Sequence, residues 1–223
     1  MTFSLVARCA ATGRLGTAVA SSSPAVAARC AHARAGVGAV ASQNVTDPAL
    51  GTRALDLLER GATAAETIAI LSRAPFAEYR QLLVVDRDGD TAIHSGPNAL
   101  GTFAEAREHD VASGGNLLAS AQIPRAIVNA FLGAPGHLGD RLLAAMRAGL
   151  DAGGEAGPIH SAGMKIVDRL DWPLVDLRCD WTEGDPLAEL EAAWTVYKPQ
   201  VDAYVTRALD PTSAPSYGVP GDE

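Results

Sequence analysis

Thr2 stands directly behind Met1, and a hydroxyl at that position has a chemistry that internal residues lack. Once the methionine is removed, the residue carries a nucleophilic Oγ and, on the same backbone, an α-amino group able to take its proton. An α-amine has a reference pKa of roughly 7.7–8.0, so an appreciable fraction is neutral at pH 7 and acts as a base without a histidine. Threonine is small enough for methionine aminopeptidase to act before it. A retained Met1 leaves the nitrogen in an amide and blocks the reaction. The competing reading of Thr2 is structural: a β-branched residue suits the start of an edge strand.

The other reactive side chains form no second constellation. Cys9, Cys30 and Cys179 are odd in number, far apart and without C-x-x-C spacing, the pattern of reduced structural thiols. His32, His94, His109, His137 and His160 are scattered without metal-ligand spacing, so no metal site is expected. A Cys30–His32 pair is the one alternative nucleophile, with nothing else in the sequence to support it. Glycine turns such as Gly13-Arg14-Leu15-Gly16 lack Rossmann or P-loop spacing, and no cofactor is expected.

Eighteen basic against 26 acidic residues give a formal charge of −8, with no basic cluster to follow a phosphate backbone. Nucleic acid is therefore excluded as a partner. No stretch approaches the roughly 20 apolar residues of a spanning helix, which excludes a membrane anchor. The amino-terminal segment has neither a basic n-region nor a long apolar run, so a cytoplasmic location is expected.

These groups need elements to position them. Apolar runs at 3–8 and 15–22, joined by Ala11-Thr12-Gly13-Arg14, read as a strand hairpin, and a third strand follows at 37–42. Asp47-Pro48 marks a helix start, and Thr63-Ala64-Ala65-Glu66 has capping-box spacing for a second helix. Strands return at 80–85 and 91–94 around an Asp88-Gly89 turn, and residues 97–113 read as irregular, with one strand at most. Helices are expected near 123–132 and 138–150, the latter stopped by Gly153-Gly154, then strands at 161–167 and 174–178. Asp185-Pro186 opens a last helix that Pro199 kinks or breaks. Residues 1–209 read as a single domain, and the Pro-, Gly- and Ser-rich 210–223 as a disordered tail. Grouped strands and grouped helices argue against a doubly wound parallel sheet. The order fits an α+β, four-layer αββα sandwich of two largely antiparallel sheets between helices.

Several strings sharpen this reading. Thr2-Phe3-Ser4-Leu5-Val6-Ala7, Ala18-Val19-Ala20-Ser21, residues 35–43, Arg80-Gln81-Leu82, His94-Ser95-Gly96, Gly115-Asn116-Leu117-Leu118 and Asp185-Pro186-Leu187 resemble, in type and order, the domain of unknown function 1028 family. The resemblance spans about residues 2–209. It implies a fold of the N-terminal-nucleophile (Ntn) hydrolase type and an amide-cleaving enzyme, without naming a substrate. The chain departs from the family where Pro97-Asn98-Ala99 follows His-Ser-Gly, where Asp47 stands for a common Asn, and where Gly114 stands for a common Gln.

On this basis the candidate site has Thr2 as nucleophile. Ser21, Ser22 and Ser23 end the strand antiparallel to the first and lie beside it, one of them orienting the amine. Gln43 and Asn44 leave the third strand where an amide or backbone N–H could meet an oxyanion. Asn116, behind two glycines, is exposed to a close approach, and His94 ends a strand where it could orient substrate. Each has a plainer reading as turn, capping or structural chemistry. The function implied is hydrolysis of a small amide, cyclic imide or peptide-like C–N bond. The alternative is a catalytically inactive binding or assembly protein on the same fold, and homo-oligomeric assembly is open on either reading.

Overall fold

The chain opens on a run whose successive side chains are buried on opposite faces, β1 (Thr2–Arg8), which turns back into β2 (Leu15–Ser21). The structure, a computed structural model, describes residues 2–221. A short helix, α1 (Val26–Cys30), leads into β3 (Ala31–Arg34) and β4 (Gly38–Gln43). The helix pair α2 (Pro48–Glu59) and α3 (Ala64–Leu71) follows, then β5 (Gln81–Asp86), β6 (Thr91–Ser95), β7 (Ala104–Glu108) and β8 (Val111–Asn116). A second helix pair, α4 (Ile123–Gly133) and α5 (Leu138–Asp151), precedes β9 (Ser161–Val167), β10 (Val175–Cys179), α6 (Pro186–Tyr197) and α7 (Val201–Leu209).

The strands form two antiparallel sheets, one ordered β10-β9-β2-β1-β8-β7 and one ordered β3-β4-β5-β6. Phe3, Leu5, Ala18, Ala20, Met164 and Ile166 of the first sheet pack with Ile127, Phe131, Leu142, Met146 and Leu190 of α4, α5 and α6. Val40, Leu82 and Val84 of the second pack with Leu50, Leu58 and Leu71 of α2 and α3. Val6, Ala39, Ala41, Leu83, Val85 and Ala112 fill the space between the sheets. The molecule is thus an αββα sandwich, its inner strands β2, β4, β5 and β8 buried along their whole length.

Local sequence chemistry sets the helix starts. The Asp47 carboxylate accepts the Ala49 N–H at 3.0 Å, and the Asp185 carboxylate accepts those of Leu187 and Ala188 at 2.8 and 3.1 Å. Thr63 and Glu66 form the reciprocal capping box. Pro199 ends α6, and the chain passes through a single 3₁₀ turn before α7.

Two regions differ from the sequence reading. Residues 26–34 supply α1 and β3, an Ala-rich stretch with no periodicity to announce either element. Residues 104–116 form two strands, of which β7 lies at the sheet edge and turns Glu105, Arg107 and Glu108 to solvent. That polarity suits an edge and hides the strand from a hydrophobic-pattern search. Beyond α7 the chain runs in turns, with the Arg207 guanidinium over the Tyr217 ring at 3.7 Å. No helix among the described residues is long and apolar enough to cross a membrane.

Candidate active site

Strand alternation decides which side chains meet between the sheets. In β1 the odd residues Phe3, Leu5 and Ala7 face the helices, so Thr2, Ser4 and Val6 face the second sheet. The same parity turns Asn116 and Gly114 of β8 inward, and the register carries Ser21 of β2 to the position opposite Thr2. Gln43 of β4 and Gln81 of β5 project from the second sheet toward them. One end of the inter-sheet space is therefore polar.

Thr2 begins a central strand, with β2 on one side and β8 on the other. This corrects the edge-strand reading: a threonine there is not explained by edge placement. Its Oγ1 lies 3.3 Å from Ser21 Oγ, which accepts the Ser23 N–H at 3.0 Å. Ser161, paired with Ser21, donates its hydroxyl to the Ser23 carbonyl at 2.6 Å and accepts the Val26 N–H at 3.2 Å. The serine turn after β2 is thereby pinned beside Thr2, which is 7% exposed.

Asn116 pairs with Thr2 across the strands and is 2% exposed. Its Nδ2 has no hydrogen-bond partner among the described residues. A buried amide N–H₂ left unpaired costs about 1–3 kcal/mol, so a native fold that keeps one needs a reason. A buried donor beside the Thr2 hydroxyl, with no acceptor among the described residues, is the kind of group an oxyanion hole requires.

Below these groups runs a buried polar chain. The Ser4 hydroxyl donates to Gln43 Oε1 at 2.6 Å, and Gln43 Nε2 donates to Gln81 Oε1 at 2.7 Å and to the Gly114 carbonyl at 3.2 Å. Gln81 Nε2 continues to Ser95 Oγ at 3.0 Å and the Gly115 carbonyl at 3.3 Å, and Ser95 donates to Glu105 at 2.7 Å. Low local dielectric strengthens such bonds when every member is satisfied. The chain bolts the two sheets together under Thr2.

One residue that sequence reasoning missed joins the site. Gly153 and Gly154 take φ values of 121° and 57°, a left-handed turn open to glycine, and deliver Glu155 to the end of β1. Both Glu155 carboxylate oxygens lie 3.2 Å from the Ser22 N–H, and the residue is 4% exposed. Its pKa is pushed up to about 7 by burial, against the opposing pull of the positive amino terminus, the Ser22 hydrogen bonds and His160. The only sequence signal was a lone acid after a glycine pair, which read as a helix stop.

The other candidates stand apart. The Gln43 side chain is spent on the polar chain. Asn44 adopts φ 60° and ties two loops together, its amide donating to the Tyr79 carbonyl and its Oδ1 accepting the Leu100 N–H at 3.1 Å. His94 shares the parity of Ala92, facing the helices, with Nε2 2.9 Å from the Ala77 carbonyl. Cys30 ends α1 and is not on a strand with His32; burial pushes its thiol up, away from a reactive thiolate.

Two antiparallel sheets lie face to face between helical layers, with the residue after Met1 opening a central strand, the αββα layer order that the resemblance noted in the sequence implies. The chain belongs to the family of unknown function DUF1028, which it matches over residues 2–190. The crystal structure of a DUF1028 protein from Silicibacter pomeroyi is similar at a TM-score of 0.81 and 26% identity, over 87% of this chain and 88% of that one. Anbu, an ancestral beta-subunit, from Yersinia bercovieri aligns at a TM-score of 0.39 and 12% identity, over 91% and 97% of the two chains. Anbu from Hyphomicrobium sp. strain MC1 aligns at 0.38 and 10%, over 92% and 98%. Among curated proteins, none matches the chain.

Proposed function

We propose that this protein hydrolyses a small amide, cyclic imide or peptide-like C–N bond, using Thr2 as the nucleophile after removal of Met1. The observation that carries the reading is that Thr2 and Asn116 are cross-strand partners on one inward face, with Asn116 Nδ2 unpartnered among the described residues. Thr2 Oγ1 attacks the acyl carbon, and its proton passes to the Thr2 α-amine. Asn116 donates to the carbonyl oxygen as it becomes an oxyanion. Collapse breaks the C–N bond, and the leaving nitrogen takes the proton back from the ammonium. Water, deprotonated by the same amine, then cleaves the threonyl ester to release the acid and restore Thr2. Ser21 orients the hydroxyl from 3.3 Å.

The test begins with the intact mass of protein purified without an amino-terminal tag, which should lack Met1. Against a panel of small amides, cyclic imides and dipeptides, Thr2→Ala and a form with extra residues before Thr2 are both expected to fold and be inactive, with Thr2→Ser retaining part of the rate. Full activity in the extended form rejects the mechanism. Sedimentation of the same sample establishes whether the chain is a homo-oligomer.

A further inference from the structure

The segment carrying Glu155 crosses the end of β1. On one side it reaches the strand before β1 in the sheet, through the Ser22 N–H at 3.2 Å. On the other it meets the chain just past β8: Glu155 pairs with Leu118 in a β-bridge, and the Ala156 N–H donates to the Leu117 carbonyl at 3.0 Å. The Ala119 N–H donates to the Gly154 carbonyl at 3.1 Å, tying down the same crossing. Since β1 lies between β2 and β8, a segment bonded to the ends of both spans the point where the Thr2 nitrogen leaves the sheet. A Cβ at Gly154 would stand 3.7 Å from Phe3 Cε1, so the crossing also packs against the second residue of the strand.

We infer that Glu155 is the positioning residue of the mature amino terminus, its carboxylate accepting a hydrogen bond from the Thr2 α-ammonium and holding that group against the Thr2 hydroxyl. A buried carboxylate needs a charge partner or several donors. The Ser22 backbone N–H, shared between its two oxygens, and the Ser22 hydroxyl still leave acceptor capacity for a further donor. The charged or titratable groups around it are the amino terminus and His160. The His160 ring is turned to the Thr182 carbonyl at 2.8 Å and stacked on Trp181 at 4.5 Å, with Glu183 3.8 Å away on its exposed side. His160 is thus engaged elsewhere, and loss of Met1 would leave the Thr2 α-ammonium at the start of β1, where the Glu155 segment crosses. The part of Glu155 resembles that of a buried acid behind a catalytic base: it fixes the base and stabilises the cation formed when the hydroxyl proton arrives.

This inference rests on the proposed role of Thr2, but its test does not require turnover. Protein beginning at Thr2 is prepared by proteolytic removal of a leader, and the α-amine is labelled with a pulse of acetic anhydride from pH 5 to pH 10, its acetylation read by mass spectrometry. Glu155→Gln should lower the apparent pKa of the amine by about one pH unit, a tenfold rise in the neutral fraction on the acid side. Glu183→Gln should leave it unchanged, and Glu155→Asp should give an intermediate value. An amine pKa that moves by less than about 0.3 in Glu155→Gln overturns the assignment. If that variant does not fold, the reciprocal measurement uses the native sequence: acetylating the Thr2 amine must raise the ¹³C-detected titration of the Glu155 carboxyl, and an unmoved titration overturns the pairing. A shifted amine with an active Thr2→Ala would instead reject the nucleophile and keep the ion pair.

Discussion

The two ends of the inter-sheet space are built from the same strands and differ in almost every side chain. Away from Thr2 the inner faces carry Val6, Leu15, Ala39, Ala41, Leu83, Val85, Ala112 and Val167, a mainly apolar layer interrupted by Thr17 opposite Val6, in which small alanines let the sheets approach closely. At the Thr2 end the same faces carry Ser4, Gln43, Gln81, Ser21 and Asn116, buried as deeply as their apolar counterparts. The boundary falls within one inward step along β1, from Val6 to Ser4. Burial is therefore not what separates core from site here. The apolar end is held by area and packing, and the polar end by hydrogen bonds that must all be made, save the one that Asn116 leaves open.

The sharpest way to break this comparison is to open a cavity in the apolar half. Leu83→Ala is expected to cost about 3 kcal/mol of unfolding free energy in urea, within the usual range for a fully buried leucine, while the reactivity of the Thr2 amine toward acetic anhydride stays as it was. A change in that reactivity would mean that the two halves are mechanically coupled.

In the polar half, Gln81→Ala removes the Gln43 Nε2 bond to Gln81 Oε1 and the Gln81 Nε2 bonds to Ser95 and the Gly115 carbonyl. The expected cost is about 2 kcal/mol, from unsatisfied buried groups rather than lost area. Equilibrium unfolding checks it; a loss below about 0.5 kcal/mol, short of the roughly 1–3 kcal/mol that an unsatisfied buried group costs, would show that water replaces the bolt.

Glu155 gives the polar half a pH signature. Its folded pKa of about 7 lies above its ordinary 4.5, so between those values the folded state holds the proton more tightly than the unfolded chain. Stability from this residue is full below about 4.5 and declines as pH rises toward 7. Glu155→Gln should flatten that decline in thermal melts across the window, and an unchanged slope would contradict the burial penalty.

The smallest stability effect is expected at Asn116. Removing an amide that already lacks a partner forfeits no bond from Nδ2, so Asn116→Ala should alter stability by about 1 kcal/mol or less. Turnover of any amide found by the screen should nevertheless fall about 100-fold, the scale of a lost oxyanion donor. Equal losses in both measurements would make Asn116 a structural residue.

Much of this molecule was legible in local chemistry. Asp47, Thr63 and Asp185 announce helix starts because a cap acts within three residues, and the hairpin of β1 and β2 follows from alternation across a short turn. The layered architecture follows from how strands and helices are grouped. The pairing of Thr2 with Ser21 needed only that hairpin, and it was within reach of the sequence. Asn116 was singled out for its two glycines, although its unpaired Nδ2 depends on neighbours that arrive from elsewhere in the chain.

What required the tertiary structure is whatever depends on register between distant segments. Gln43 and Gln81 belong to different strands, and only the facing of two sheets turns them from loop-edge amides into a bolt under Ser4. His94 and Asn44 have residue types suited to chemistry, yet strand parity sends one toward the helices and a left-handed turn commits the other to holding loops. Glu155 lies 153 positions beyond Thr2 in sequence, and no periodicity links them. It meets the start of β1 because a glycine turn carries the chain across the ends of β2 and β8, a contact set by sheet order, which a linear pattern does not encode.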